Sequence, residues 1–563
     1  MAFCYKTQMG TESIVNQNSA VVIGAGVSGL VCAARMAKAG FDVTLMEQSN
    51  KVGGLSQGWE RKIRLKNNET VRATFDLTHV VAEFLPGEHF HNLYSELGVD
   101  WANVGLFIPV EKVACLMTRD GAYYEILGGF NESLTQFKKL YPEESRNIDR
   151  YFRTLDDIDE QFSRAANRPS GWQRSLELFL EPLIEKNASL YGLMCLLTKP
   201  DLVKWRLHTH SELIDTFFGN PQLKTHLSMV ADYMGLPASR ASGLMMSLVL
   251  LSFWKHGGPV VPRQRSYQAL HEELARVLVE KHGGKVRLQT SVTNLTIEGR
   301  RVTGVEFRRQ RGGGDAELMN AQTVVIAADM KKVLLPLADK LPSNYVRKLR
   351  KMKMATSFMS VLAVVDRTKL KLEERHGHFA SNMIVSSVDA LETEQSAGFP
   401  EQYNIIVSFP SLVRPDAPHV TSLDGQPLEK YLRVDLTMKC PPHEAWASLR
   451  NNDKKAYKIL KEKTAQQMLS IVAAHFLPGL EEAVEYTVAF TSTTMERYCG
   501  VTEGAVYGFE QTPQQFPPYR MRPWTPITGL YATGAGTLAG GIAGVITAAE
   551  KTADIIIRER LKK

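Results

Sequence analysis

The stretch Ala20-Val21-Val22-Ile23-Gly24-Ala25-Gly26-Val27-Ser28-Gly29-Leu30-Val31-Cys32-Ala33-Ala34 decides the fold. Four apolar residues read as a buried strand, a glycine loop follows at once, and an alanine-rich helix begins. A second strand then runs to Glu47. Glycine allows the tight turn at Gly24, close approach of a pyrophosphate at Gly26, and close packing of helix on strand at Gly29. The helix start offers free N–H groups and a positive dipole end to phosphates. Ser28, on the same turn, joins these glycines as a candidate contact. Glu47 lies close to the ~20 residues downstream at which an acid accepts a hydrogen bond from a ribose hydroxyl. The spacing therefore predicts a dinucleotide site in an α/β fold.

The next residues sharpen the cofactor. Glu47-Gln48-Ser49-Asn50-Lys51-Val52-Gly53-Gly54-Leu55-Ser56 resembles the E-x5-G-G signature of flavoproteins in the amine oxidase and phytoene desaturase superfamily. That resemblance implies FAD, with Gly53 and Gly54 passing under its diphosphate and flavin edge and Leu55 and Ser56 as further cofactor contacts. At the other end, Gly529-Leu530-Tyr531-Ala532-Thr533-Gly534-Ala535-Gly536-Thr537 reads as strand and turn. Gly540-Gly541-Ile542-Ala543-Gly544 opens a final helix reaching about Arg558. By the same resemblance, Gly534 and Gly536 approach the ribityl chain. The helix start at Gly541, Ile542 and Ala543 aims its dipole at the flavin pyrimidine, where negative charge gathers on reduction.

Further blocks extend the likeness: Thr491-Ser492-Thr493-Thr494-Met495-Glu496-Arg497-Tyr498, Gly504-Ala505-Val506-Tyr507-Gly508-Phe509, Thr512-Pro513 and Thr525-Pro526-Ile527. Together they make the chain similar to the carotenoid desaturase, carotenoid isomerase and retinol saturase group. Three segments depart from that pattern. Thr78 replaces glycine in Phe75-Asp76-Leu77-Thr78-His79, Pro262-Arg263-Gln264-Arg265 replaces P-x-G-G, and Gly536-Thr537-Leu538-Ala539-Gly540 replaces G-T-H-P-G. The resemblance implies that Val292 pairs its backbone with adenine. It also puts His79, Tyr507 and Glu510 in segments bordering the flavin, as the candidates for catalysis.

A discontinuous Rossmann-like FAD-binding domain is expected from residues 18–100, 267–345 and 520–563. The inserted mixed α+β substrate domain, with its helical cap, is expected from 101–266 and 346–519, and residues 1–17 as a flexible tail. Helical periodicity marks Leu176 to Ile184, Leu244 to Phe253, Ala269 to Lys281 and Asp453 to His475. Strands are expected at Lys285 to Leu288, Ser291 to Leu295, Ser360 to Val365, Tyr403 to Phe409 and Tyr431 to Thr437. Arg301 to Phe307 and Thr323 to Ala327 read as a hairpin around Gly312-Gly313-Gly314. Residues 101 to 266 read as mostly helical.

The chain has 563 residues, of which 44% are hydrophobic, enough for a large core in two joined domains. Its six cysteines form no C-x-x-C pair, and the His-x-His pairs His89/His91, His208/His210 and His376/His378 have no third ligand near in sequence, so no metal is expected. No leader and no spanning segment is evident, since Ala241 to Trp254 falls short of the ~18 residues a span needs. A cytoplasmic protein, peripheral at a membrane, is therefore expected. The net charge is +7, and basic residues cluster at Arg347-Lys348-Leu349-Arg350-Lys351-Met352-Lys353, the candidate contact to an anionic membrane surface. No nucleic-acid motif accompanies them.

The resemblance implies an oxidoreductase acting on C–C single or double bonds of an apolar isoprenoid or polyene, by desaturation, saturation or isomerisation. No second glycine fingerprint of comparable quality is present, so electrons would pass to or from dioxygen, a quinone or a separate reductase. A flavin amine oxidase and a non-catalytic flavin-binding protein are the alternative readings.

Overall fold

The computed structural model describes residues 18–561, except 79, 111, 120, 167–199, 265, 311–314, 374–378, 386–403, 441 and 518. Strand Ser19–Ile23 lies at the centre of a five-stranded parallel sheet. The order is Leu530–Ala532, Thr323–Ile326, Ser19–Ile23, Asp42–Met46, Lys285–Arg287. Three distant parts of the chain thus meet in one sheet. Helix Val27–Lys38 packs against Tyr267–Glu280 and the last helix, Ile542–Leu561. Small side chains at Ala33 and Ala34 share that core with Leu274, Val277, Ala549 and Ala553.

Beside the sheet, Thr290–Glu298, Arg301–Arg309 and Glu317–Asn320 form an antiparallel meander. This corrects the expected hairpin. Arg301–Arg309 pairs with Glu317–Asn320, while Thr323–Ile326 turns away into the parallel sheet. Thr323, Val324, Val325 and Ile326 are all buried, as a strand covered on both faces must be, whereas Glu317–Asn320 forms a largely exposed edge. The glycines proposed for the turn lie outside the described residues.

The second sheet has seven strands, ordered Val484–Phe490, Phe358–Asp366, Tyr431–Lys439, Ile405–Ser408, Phe379–Val385, Lys112–Thr118, Tyr123–Leu127. The last two come from the segment read as mostly helical, which is mostly helical among its described residues but also contributes this hairpin. The residue period of two divides the strand Phe358–Asp366 cleanly. Met359, Val361, Ala363 and Val365 pack under helix Lys454–His475, which contributes Met468, Leu469 and Val472. Leu362 and Val364 face the opposite way, onto the hairpin Gly58–Arg64/Thr70–Asp76. Phe358 and Ser360, in phase with them, are left to line a cavity. Helices Ser145–Ala166, His210–Phe217, Pro221–Ser228 and Gly243–Trp254 close a third core around Tyr151, Phe152, Leu213 and Leu250. Among the described residues, no helix is long and apolar enough to cross a membrane.

Candidate functional site

Between the parallel sheet and the seven-stranded sheet lies a cavity of about 780 Å³, within the ~300–1,000 Å³ of small-molecule sites. Gly24, Gly26, Ser28, Glu47, Gly53, Gly54, Leu55, Ser56, Val292, Gly534, Gly536, Gly541 and Ile542 all line it. Gly29 and Ala543 do not. A Cβ on Gly29 would fall on the Gly24 carbonyl, so this residue serves the packing of helix on loop.

Backbone geometry explains the glycines at the cavity edge. Gly24 and Gly53 have φ of 100° and 115°, which a side chain would strain. Gly53 N–H donates to the Ala25 carbonyl at 2.8 Å, joining the two glycine turns. A Cβ on Gly54 would come within 3.0 Å of Gly26 Cα, and one on Gly534 within 2.8 Å of Ser28 Oγ. At Gly26 the nearest atom to an added Cβ is Gly54 Cα, 3.9 Å away. That position is therefore open within the protein.

Helix Val27–Lys38 begins with no side-chain cap and no acid in its first turn, leaving its N–H groups to a ligand. Glu47 Oε2 accepts from Ala25 N–H and Oε1 from Ser49 N–H, both at 2.8 Å. The carboxylate thus braces the glycine loop and retains lone pairs for further donors. A cradle of glycines, an uncapped helix start and a braced acid fits the diphosphate and ribose of FAD.

The proposed catalytic residues part company. Tyr507 lines the cavity, its ring edge-on to Phe358 with centroids 6.1 Å apart, and burial pushes its phenol up to about 12. Glu510 does not line it. Its Oε2 is held by Arg240 at 2.7 Å, which corrects the expectation that it borders the flavin. His79 lies outside the described residues. The His-x-His pairs also separate: His89 meets Glu550, His91 stacks on Trp101, and His210 bonds the Leu227 carbonyl. His376 and His378 are not among the described residues, which contain no group of three or more potential metal ligands.

Several site residues escaped the sequence reading. His271, fully buried on helix Tyr267–Glu280, reaches Ser56 at the cavity edge, and burial lowers its pKa to about 4. Arg520, also buried, donates to the carbonyls of Phe509, Glu510, Gln515 and Ala535. It ties the Tyr507–Glu510 loop to the Gly534–Gly536 turn, and burial lowers its pKa to about 9. The opposite wall is a row across the seven-stranded sheet. Ser360 pairs with Thr437, and Thr437 with Ile406; the two hydroxyls lie 3.0 Å apart. Only the sheet's register brings these three positions together.

Comparison with known proteins now fits this geometry. The profile of the flavin containing amine oxidoreductase family matches residues 27–557. The chain belongs to that family. It is an FAD-dependent oxidoreductase. An all-trans-retinol 13,14-reductase of Danio rerio is 23% identical over 566 residues, spanning 96% of this chain and 86% of that protein. A phytoene desaturase of Cercospora nicotianae is 25% identical over 406 residues, spanning 70% and 58%. An oxidoreductase from Methanosarcina mazei superposes with a TM-score of 0.59 at 15% identity, covering 95% of this chain and all of that one. A putrescine oxidase variant does so at 0.56 and 14%, covering 96% and 99%. These two structures share the fold.

Proposed function

We propose that this flavoenzyme acts on C–C single or double bonds of a long apolar isoprenoid or polyene, of carotenoid or retinoid type. One observation carries the reading. Among the described residues, the cavity wall beyond the dinucleotide end is formed by Val80, Tyr233, Met354, Phe358, Ser360, Ile406, Thr437 and Tyr507, none of them charged. An ammonium substrate would lose its water there and find no carboxylate, at a cost of several kcal/mol. A hydrocarbon chain would lose only water. Similarity to the retinol reductases and phytoene desaturases supports the same class.

FAD, once bound, supplies the hydride chemistry. The residues hold the substrate and exclude water. Tyr507, neutral to about pH 12, can donate a hydrogen bond but cannot serve as a base near neutrality. The Ser360–Thr437 hydroxyl pair offers a polar spot on the sheet-derived part of that wall, suited to a terminal hydroxyl or carbonyl of an otherwise apolar chain.

We retain 18–100, 267–345 and 520–563 as the FAD-binding unit and 101–266 with 346–519 as the substrate unit. The hairpin Gly58–Asp76 bridges them, because it packs on the seven-stranded sheet. The cofactor contacts belong to the same proposal, as do external electron transfer and docking on an anionic membrane. For docking, Arg347, Arg350 and Lys351 stand exposed on helix Ser343–Lys351, whereas Lys348 donates to the Arg520 carbonyl at 3.0 Å.

The test is aerobic incubation of the FAD-loaded protein with dispersed polyenes and, separately, with amines. A polyene product differing by two hydrogens is expected. Peroxide and aldehyde from amines would replace the polyene reading with amine oxidation. Conversion of a polyene at unchanged mass, with no acceptor consumed, would make the reaction an isomerisation.

A further inference from the structure

Thr78 lines the cavity. Its Oγ1 lies 2.8 Å from Ser56 Oγ, and behind Ser56 sits His271, whose Nε2 is 3.1 Å from the Ser56 carbonyl and 3.0 Å from Ser56 Oγ. Chemistry fixes the first link of this chain. A carbonyl oxygen only accepts, so Nε2 must carry a hydrogen. A protonated ring nitrogen has no lone pair, so Ser56 Oγ also accepts from it. Ser56 Oγ keeps its own hydrogen and a second lone pair, so either hydroxyl of the Ser56–Thr78 pair can donate. With Ser56 donating, the hydrogen on Thr78 Oγ1 is left for a bound ligand, since no other partner for it is present among the described residues.

That hydroxyl sits between two regions. Ser56 ends the Gly53–Ser56 turn on the cofactor side, and Val80, two residues beyond Thr78, belongs to the apolar wall. We infer that Thr78 donates a hydrogen bond to the flavin, its hydroxyl oriented by Ser56 and His271. This rests on the FAD placement proposed above. Leaving a half-buried donor unpaired costs stability, and the ring nitrogens and carbonyl oxygens of the flavin are the acceptors the bound cofactor would bring. Ser56 and His271 are positioning residues in this arrangement. Protonation of His271 would leave Nε2–H in place, so the first link of the chain does not depend on its charge.

A donor to the flavin strengthens as the ring gains electrons, so it favours the reduced form. In the FAD-loaded protein, Thr78→Val keeps the shape and removes the hydroxyl; Thr78→Ser keeps the hydroxyl. The midpoint potential, measured by dye equilibration without substrate, reports the difference. Thr78→Val is expected to lower the equilibrium constant for two-electron reduction about tenfold, equivalent to about 30 mV. It should also shift the visible flavin band. Thr78→Ser should match the parent protein, and Ser56→Ala should fall between them. If Thr78→Val weakens FAD binding instead, recovery by Thr78→Ser supports the inference. Parental potential and spectrum in Thr78→Val would overturn it, as would equal loss of FAD from the Val and Ser variants. Failure of the FAD placement would show separately, as full FAD loading of Gly26→Val.

Discussion

The two ends of the cavity are built by different means. The dinucleotide end is made of backbone: glycine turns that touch one another, two helix starts, and one acid bracing the loop. The other end is made of side chains from strands far apart in sequence, where Ser360, Ile406 and Thr437 meet only through sheet register. A backbone site tolerates little change, since each glycine is needed for a conformation or a close approach. A side-chain site can be refitted residue by residue without disturbing the sheet. On the proposed function, the first end holds the cofactor and the second selects the substrate.

The sharpest way to break this contrast is at Gly26 and Gly29. A valine at Gly26 has room within the protein but enters the cavity, so Gly26→Val should fold, melt near the parent temperature and purify colourless. A valine at Gly29 runs into the Gly24 carbonyl, so Gly29→Val should fail to fold stably. Absorbance at 450 nm and thermal melting read both, on the order of complete loss in each case. A yellow Gly26→Val protein would remove the dinucleotide reading of this end.

Ile406→Asp makes the complementary change at the substrate end. An uncompensated carboxylate in the apolar wall should lower kcat/KM for a polyene about 100-fold, corresponding to ~2.7 kcal/mol, while FAD content stays full. Loss of FAD together with activity would show that the two ends are not separable. Glu47→Ala should weaken FAD affinity about 10- to 100-fold, the loss of a charged acceptor, with activity recovering in excess FAD. Titration of the apoprotein with FAD measures it. Activity that stays lost at saturation would give Glu47 a second task.

Buried histidines sharpen the comparison through pH. His271 behind the cofactor end, and His210 and His226 in the helical layer, are each lowered from 6.5 to about 4 by burial. Between these values the unfolded chain takes up protons that the native protein refuses. The contribution of these three rings to stability is therefore complete above about pH 6.5 and falls as pH drops toward 4. Melting temperature should decline steadily from pH 6.5 to 5. A flat profile would mean that the three rings are already exchanging with solvent. The smallest effect is at the surface. Neutralising Arg347, Arg350 and Lys351 should weaken binding to anionic vesicles by about 1 kcal/mol per charge at low salt. Neutralising Lys348 should do less, since it is already bonded. Equal vesicle binding by all variants would leave that helix a solvated face.

Most of the dinucleotide end was legible because glycine spacing records backbone requirements directly. Gly24, Gly53, Gly54 and Gly534 each answer to a positive φ or a close approach. The substrate wall was not, because its contacts depend on which strands become neighbours. The same cause misplaced Thr323–Ile326: a run buried on both faces reads equally as half a hairpin or as a central parallel strand. Lys112–Thr118 and Tyr123–Leu127 flank an Asp-Gly dipeptide, with Gly121 at φ 96°, a hairpin signal that the surrounding helical periodicity overrode. His271 and Arg520 left no local trace. Each lies on an ordinary stretch, and burial against distant backbone carbonyls gives it a role.

The central claim is that this FAD enzyme serves an apolar polyene through an uncharged wall, and anaerobic mixing tests it most directly. The purified, FAD-loaded protein, oxidised and pre-reduced in parallel, is mixed without dioxygen with retinol, a carotenoid series and a set of amines, while flavin absorbance is followed. The expected result is bleaching of the oxidised flavin, or return of colour to the reduced flavin, with at least one polyene and no response to amines. Bleaching by an amine with every polyene silent would contradict the account.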